Sequence, residues 1–271
     1  MNRMDGKICV VTGSTQGLGA AIARQLARAG AAGLVTLGRN ETKGRAVAAD
    51  ISHATGVPVH YVNADLGNVE DCRRVIAEAE RVFGRIDVLV NAGARTDRGT
   101  ILDTSPELFD ALFAVNVRGP YFLMQEAIRH MIGHGIEGAI CNIGSISQQA
   151  GQPFINVYCA TKAALATLTR NTAFSVMKNR IRVNQLDIGW MASDHERELQ
   201  ASEKGDPDWE AKAVAHLPFG RLIDPREAAR AVNFLVSDDA GLMTGAVVDY
   251  DQTVLGAAPG PMAVPEKAMA L

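Results

Sequence analysis

Aromatic residues are scarce, 5% of 271 residues, and neither charge sign dominates. Lysine and arginine number 27 against 30 aspartates and glutamates, a net charge of -3. That balance excludes the basic surface on which nucleic-acid binding depends. No window approaches the roughly 18 uninterrupted apolar residues that a membrane-spanning helix needs. The four cysteines, Cys9, Cys72, Cys141 and Cys159, form no C-x-x-C pair, and their spacing suits neither a zinc site nor a disulfide framework. Cys9 and Cys141 fall in predicted strands, where cysteine acts as a small hydrophobe. His53, His60, His130, His134 and His216 show no ligand spacing such as H-E-x-x-H, so no metal site is expected. Repeats and linkers rich in Pro, Ser or charge are also missing, which argues for one domain over residues 1–255. The stretch Met1 to Lys7 is short, and the apolar run Ile8 to Val11 ends at Thr12-Gly13-Ser14, unlike a secretory leader. The expectation is a cytoplasmic protein with a small-molecule partner and neither a nucleic acid nor a membrane.

What is present is glycine, 26 residues, and hydrophobic residues at 47%, enough for a full core. Short β-branched runs alternate with Ala-rich helical patterns. Strands are predicted at Ile8–Thr12, Leu34–Gly38, Val57–Asn63, Asp87–Asn91, Ala139–Ile143, Ile181–Leu186 and Val247–Asp249. Helices are predicted at Leu18–Ala29, Lys43–Thr55, Val69–Phe83, Pro106–Ile132 and Tyr158–Lys178. Several strands are apolar on consecutive residues, the mark of strands covered on both faces. The alternation predicts an α/β fold with a doubly wound parallel sheet. The charged insert 190–219 is too long for an ordinary connection and reads as a substrate lid. The tail 256–271 is rich in Ala, Pro and Gly.

Thr12-Gly13-Ser14-Thr15-Gln16-Gly17-Leu18-Gly19 follows the first strand and opens the first helix. Gly13 permits a tight turn, Gly17 lets backbone approach a pyrophosphate, and Gly19 allows close helix–strand packing. The helix N-terminus adds unpaired N–H groups and a positive dipole end. The strand before and the helix after are what a dinucleotide site requires. At the end of the second strand stands Leu37-Gly38-Arg39-Asn40, with no carboxylate for an NAD ribose. Arg39 can pair with a 2′-phosphate through its planar fork, which favours NADP(H) over NAD(H). Asp65, after the third strand, either accepts from an adenine amino group or caps the helix near Val69.

Tyr158 and Lys162 are four apart, hence one turn apart on one helix face. A nearby ammonium lowers the pKa of a phenol, so the pair suits general acid–base work. Ser145 follows a buried strand, where α/β folds bind ligands. Asn116 lies within a predicted helix although Asn is a mediocre helix former, so it asks for a reason.

In these features the chain resembles the short-chain dehydrogenases/reductases. The likeness runs from about Gly6 to Thr253 and rests on the pattern at Thr12 to Gly19, on Asp65, Asn116 and Ser145, on Y-x-x-x-K at Tyr158–Lys162, and on Thr244-Gly245. The resemblance implies a Rossmann-type sheet of about seven strands and a homotetramer. It implies Tyr158 as acid/base, Ser145 holding the substrate oxygen, Lys162 on the nicotinamide ribose and lowering the tyrosine pKa, and Asn116 holding a relay water. It implies a cofactor site built from Gly13, Ser14, Thr15, Gln16, Gly17, Leu18, Gly19, Arg39, Asp65, Leu66, Asn91, Ala92, Gly93, Tyr158, Lys162 and Gly189. Three departures stand out: Asn91-Ala92-Gly93-Ala94 for Asn-Asn-Ala-Gly, Ile188-Gly189 for Pro-Gly, and Asp251-Gln252-Thr253 for Asp-Gly-Gly.

Between Ser145 and Tyr158 the chain is unusually polar. Ser147, Gln152 and Asn156 are candidate substrate contacts, with Gln148, Gln149, Asp187, Asp194 and His195 as further acceptors. That favours a sugar or polyol, whereas Trp190, Met191 and Trp209 offer an apolar wall. The expected activity is hydride transfer between NAD(P)(H) and a secondary alcohol or carbonyl. An epimerase or dehydratase on the same scaffold, and a non-catalytic dinucleotide sensor, are the alternatives.

Overall fold

In the computed structural model, residues 3–149, 152–193, 196–198, 200 and 208–254 are described. The tail 256–271 and the lid residues Asp194 and His195 lie outside them. Among the described residues seven strands form one parallel sheet: β1 (Ile8–Val11), β2 (Gly33–Gly38), β3 (Val59–Asn63), β4 (Val88–Asn91), β5 (Ala139–Ser145), β6 (Arg182–Ile188) and β7 (Val247–Tyr250). Their order is β3-β2-β1-β4-β5-β6-β7, so the winding reverses between β1 and β4. That reversal opens a crevice at the carboxyl ends of both strands.

The helices are α1 (Gly17–Arg28), α2 (Glu41–Thr55), α3 (Val69–Phe83), α4 (Pro106–Phe113), α5 (Gly119–Gly133), α6 (Asn156–Val176), α7 (Trp209–Val214) and α8 (Pro225–Val236). α7 was not foreseen, and neither was α8. Its signals are present in the sequence: Asp224 caps it by accepting from the Arg226 N–H, and Pro225 stands in its first turn. Two buried clusters lie on opposite faces of the sheet. Val11, Ile22, Leu26, Leu186 and Val232 belong to one, and Val10, Leu89, Leu123, Ile140 and Val183 to the other. Consecutive strand residues thus serve opposite cores, which explains the continuous apolar runs. Cys9 and Cys141 are fully buried there.

Two expectations need correction. The helix predicted over Pro106–Ile132 is interrupted by a π-turn at Ala114–Arg118, which splits it into α4 and α5. Asp65 does not cap α3. Asn68 does, accepting from the Glu70 and Asp71 N–H groups, while Asp65 Oδ1 accepts from Gly67 N–H at 2.9 Å. A capping side chain has to stand immediately before the first turn, and Asp65 is three residues too early.

His130 on α5 is buried and stacks on His134 at 4.2 Å between ring centroids. With Glu80 the two histidines gather three possible ligand atoms within 4.8 Å of one another. His130 Nε2, however, accepts the Ile86 N–H at 3.1 Å. The ring proton of neutral His130 therefore sits on Nδ1, the atom facing Glu80, and that atom has no lone pair for an ion. Burial holds the His130 pKa below its ordinary value of 6.5. A neutral His130 favours the folded state above pH 6.5, and that contribution is lost as pH falls from there through the depressed folded value. A His130→Gln variant, whose amide oxygen can still accept from Ile86, is expected to show a smaller drop in urea midpoint between pH 7.5 and pH 5 than the parent protein.

Candidate active site

The glycine turn joins β1 to α1 at the crevice. Gly13 has φ +63°, and a Cβ there would lie 2.5 Å from the Gly93 Cα. The ends of β1 and β4 therefore touch backbone to backbone, and Gly93 in turn has no room for a side chain beside Leu66. Thr12 secures this contact: its Oγ1 accepts the N–H groups of both Ala92 and Gly93 at 2.9 Å. A Cβ on Gly19 would collide with the Gly13 carbonyl. No side chain caps α1, and its first turn has no acidic residue, so its N–H groups face the crevice uncompensated. This is the donor set an anionic diphosphate requires. A groove of about 610 Å³ adjoins it, lined by Thr15, Gln16, Gly17, Lys43 and Ser193 among others.

Other expected cofactor residues sort by where their side chains go. Ser14 is turned inward: its hydroxyl donates to the Val11 carbonyl at 2.8 Å and accepts the Leu37 N–H at 2.9 Å. Asn91 is buried and donates to Asn142 Oδ1 at 2.8 Å. Arg39 is exposed, with no ion pair among the described residues. Lys43 reaches Gln16 Oε1 at 3.4 Å. Gly189 follows β6, and a Cβ there would run into Asp251.

Asn116 sits in the π-turn, which answers why an asparagine occurs within this helical stretch. Its Oδ1 accepts Arg95 N–H at 2.8 Å, and its Nδ2 donates to the Arg95 carbonyl at 2.9 Å and to Thr161 Oγ1 at 3.1 Å. Thr161 donates onward to the Tyr158 carbonyl at 2.7 Å. Both amide hydrogens are thus committed to protein, so a relay water at this residue would have to be met by other atoms.

Tyr158 and Lys162 lie in the first two turns of α6. Lys162 is buried, donates to the Ile143 carbonyl at 2.8 Å, and stands 5.5 Å from the centroid of the Tyr158 ring. Burial pulls its ammonium down to about 8, opposed by the nearby Asp187 carboxylate. Tyr158 is half-buried. Burial dominates here too and pushes its phenol up to about 12, opposed by the Ser145 hydroxyl and reinforced by Cys159, Asp187 and Glu196. The expected lowering by Lys162 is not among the influences on the phenol. The ammonium faces the ring and a carbonyl, and the phenol stays protonated at neutral pH.

Sequence reasoning missed how thoroughly the site is braced. Asn142 Nδ2 donates to Thr169 Oγ1 at 2.9 Å, and the Thr169 hydroxyl lies 3.1 Å from Gln185 Oε1. Gln185 Nε2 donates to Asp187 Oδ1 at 2.7 Å, and Gln148 donates to the other oxygen of Asp187. Asp187 is fully buried, and burial raises its carboxyl to about 6. Ser147 and Gln152 are hydrogen-bonded to each other at 2.6 Å. Asn156 is exposed at the start of α6.

Trp190 Nε1 donates to Glu196 Oε1 at 2.9 Å, and Trp190 lies 6.0 Å from Trp209. A bridge between Met191 and Ile223 closes the base of the insert. Gln252, one of the departures, fastens it: its Oε1 accepts Phe219 N–H at 2.9 Å and its Nε2 donates to the Arg221 carbonyl at 2.8 Å. A glycine in place of Gln252 would leave those two groups without this partner.

Removal of the Asn116 carboxamide leaves the part-buried N–H and carbonyl of Arg95 without this partner and takes one hydrogen bond from buried Thr161. Asn116→Ala is expected to lose about 3 kcal/mol of stability in urea unfolding, well above a surface substitution.

The chain has relatives among known proteins. A family model described as "Enoyl-(Acyl carrier protein) reductase" matches residues 13–252. The sorbitol dehydrogenase of Cereibacter sphaeroides is 32% identical over 254 residues, 92% of this chain and 97% of that protein. The dehydrogenase/reductase SDR family member 4 of Bos taurus is 33% identical over 248 residues, 91% of this chain and 86% of that protein. The crystal structure of L-sorbose reductase from Gluconobacter frateurii, complexed with NADPH and L-sorbose, superposes with a TM-score of 0.88 at 28% identity, over 95% of this chain and 100% of that one. The chain belongs to the short-chain dehydrogenase/reductase family and is an oxidoreductase of that kind, acting on CH–OH groups.

Proposed function

We propose that the protein transfers hydride between a nicotinamide dinucleotide, NADP(H) in preference to NAD(H), and a secondary alcohol or ketone of a sugar or polyol. The observation that carries this reading is the grouping of Ser145, Tyr158 and Lys162 in a fold whose glycine turn has no room for a side chain at Gly13 or Gly19. When bound, the cofactor supplies or accepts the hydride; the protein supplies everything else. Gly13, Gly17 and Gly19 and the uncapped start of α1 hold the diphosphate. Exposed Arg39 meets a 2′-phosphate, for which no carboxylate competes in Gly38-Arg39-Asn40. Lys162 holds the ribose and keeps a positive charge near the ring of Tyr158.

Tyr158 moves the proton. In carbonyl reduction the phenol donates to the substrate oxygen while Ser145 steadies it, and in alcohol oxidation the phenolate receives the hydroxyl proton. A phenol raised to about 12 is in donor form across the neutral range. Reduction is then level through neutral pH, whereas oxidation climbs as pH rises toward the phenol's ionisation.

The sugar or polyol assignment draws support from the relatives' printed names, sorbitol dehydrogenase and L-sorbose reductase. It also draws on the polar run from Ser147 to Asn156. The base of the insert, held by Gln252, suits a lid over that substrate. A homotetramer accounts for the exposed Phe109, Tyr121 and Phe174 on α4, α5 and α6, and a cytoplasmic location accords with free Cys159. Among the described residues no helix is long and apolar enough to cross a membrane.

The deciding measurement is the absorbance change of reduced nicotinamide across sugars, polyols and hydroxy acids with both cofactors. Turnover of at least one polyol or ketose with NADP(H) is expected. Tyr158→Phe is expected to lose about 10²–10⁴-fold in kcat with cofactor affinity retained. Full activity of that variant would falsify the acid–base assignment. Arg39→Ala is expected to weaken NADPH binding about tenfold or more in a fluorescence titration, and NADH binding little.

A further inference from the structure

Ser147 and Gln152 are not needed by the chemistry outlined above, yet they are joined to it. Ser145 Oγ lies 3.0 Å from Ser147 Oγ, and Ser147 Oγ lies 2.6 Å from Gln152 Oε1. The main-chain N–H of Ser147 also donates to Ser145 Oγ at 3.2 Å. At the other end the Ser145 hydroxyl acts on the phenol of Tyr158. Ser145 and Ser147 are both buried.

Each hydroxyl has one hydrogen to donate, and an amide oxygen has none. Gln152 Oε1 can only accept, so the Ser147 hydrogen goes to it. Ser147 Oγ is then the acceptor for Ser145. The direction of both serine hydroxyls is set from the far end by one amide oxygen, and each bond strengthens the next.

We propose that Ser147 and Gln152 form a relay that parks the Ser145 hydrogen away from Tyr158 until a substrate oxygen takes it, which makes both of them positioning residues for the reaction. The proposal rests on the acid–base role of Tyr158. In the resting site the Ser145 hydrogen is directed to Ser147. A substrate oxygen within reach of both hydroxyls then draws one hydrogen from each. Without the relay, Ser145 would donate to the Tyr158 oxygen, a bond that favours phenolate and has to be broken before Ser145 can serve the substrate. The other groups acting on Tyr158 are Lys162 and Cys159 from α6, Asp187 from β6 and Glu196 from the insert, and none is altered in the variants below.

The test is the ionisation of Tyr158, read as phenolate absorbance after rapid alkaline pH jumps. The Tyr158→Phe signal is subtracted to remove Tyr61, Tyr121 and Tyr250. No substrate is required, so the result stands even if the turnover screen finds nothing. Ser147→Ala and Gln152→Leu are expected to lower the midpoint by roughly one pH unit, because the released Ser145 hydrogen turns to the phenolate. Gln152→Glu keeps an acceptor oxygen, and its midpoint is expected at or above that of the parent. With a working substrate, Ser147→Ala is expected to lower kcat about tenfold and leave KM unchanged. An unchanged or raised midpoint in Ser147→Ala and Gln152→Leu, both with parental circular dichroism, overturns the relay. So does a loss confined to KM, which would make these residues substrate contacts. Should Ser147→Ala fail to fold, the contrast between the Leu and Glu variants at Gln152 decides alone. Activity surviving in Tyr158→Phe overturns the acid–base reading instead.

Discussion

The site depends on the Asn116 carboxamide. It joins three segments distant in sequence: the loop after β4 at Arg95, the π-turn between α4 and α5, and α6 at Thr161. From Thr161 the chain of bonds continues to the main chain of Tyr158 itself. A group with all its hydrogens committed, in a buried and low-dielectric place, holds geometry tightly, because any movement strands several partners at once. Asn116 lies buried within the π-turn, which stands where a regular helical turn would be.

A second constraint runs across the sheet beneath the site. From Asn91 on β4 through Asn142 on β5, Thr169 on α6 and Gln185 on β6, polar groups hand hydrogen bonds to one another as far as Asp187. Gln148 then ties Asp187 to the short turn after Ser145. Parallel sheets are normally apolar on both faces. Here one polar ladder is admitted because nearly every member is satisfied. The result is that Ser145 and Tyr158, carried by different elements, share one rigid support. Electrostatics follow from the same enclosure: burial, more than any charged neighbour, places Tyr158 high and Lys162 low.

Most of the architecture is legible in the sequence. The strands appear as apolar runs, the helices as Ala-rich periodic stretches, and the glycine turn by its place between a strand and a helix. Ser145, Tyr158 and Lys162 are legible too, because Y-x-x-x-K spacing and a serine at a strand end carry their own geometry. The π-turn is not, since a single extra residue leaves helical periodicity nearly intact on either side. Nor is the capping by Asn68 in place of Asp65, where two suitable side chains stand three residues apart and only the turn between them decides.

By itself the sequence determined the layered α/β fold, the glycine turn between β1 and α1 and the one-turn spacing of Tyr158 and Lys162, because each is written in local spacing. Tertiary structure alone decided the direction of the side chains. Ser14 turns to β2, Asn116 to Arg95 and Thr161, Gln252 to the base of the insert, and Ser147 to Gln152. The physical reason is that a polar side chain takes the partner that folding brings within about 3 Å, and sequence distance says nothing about which group that is.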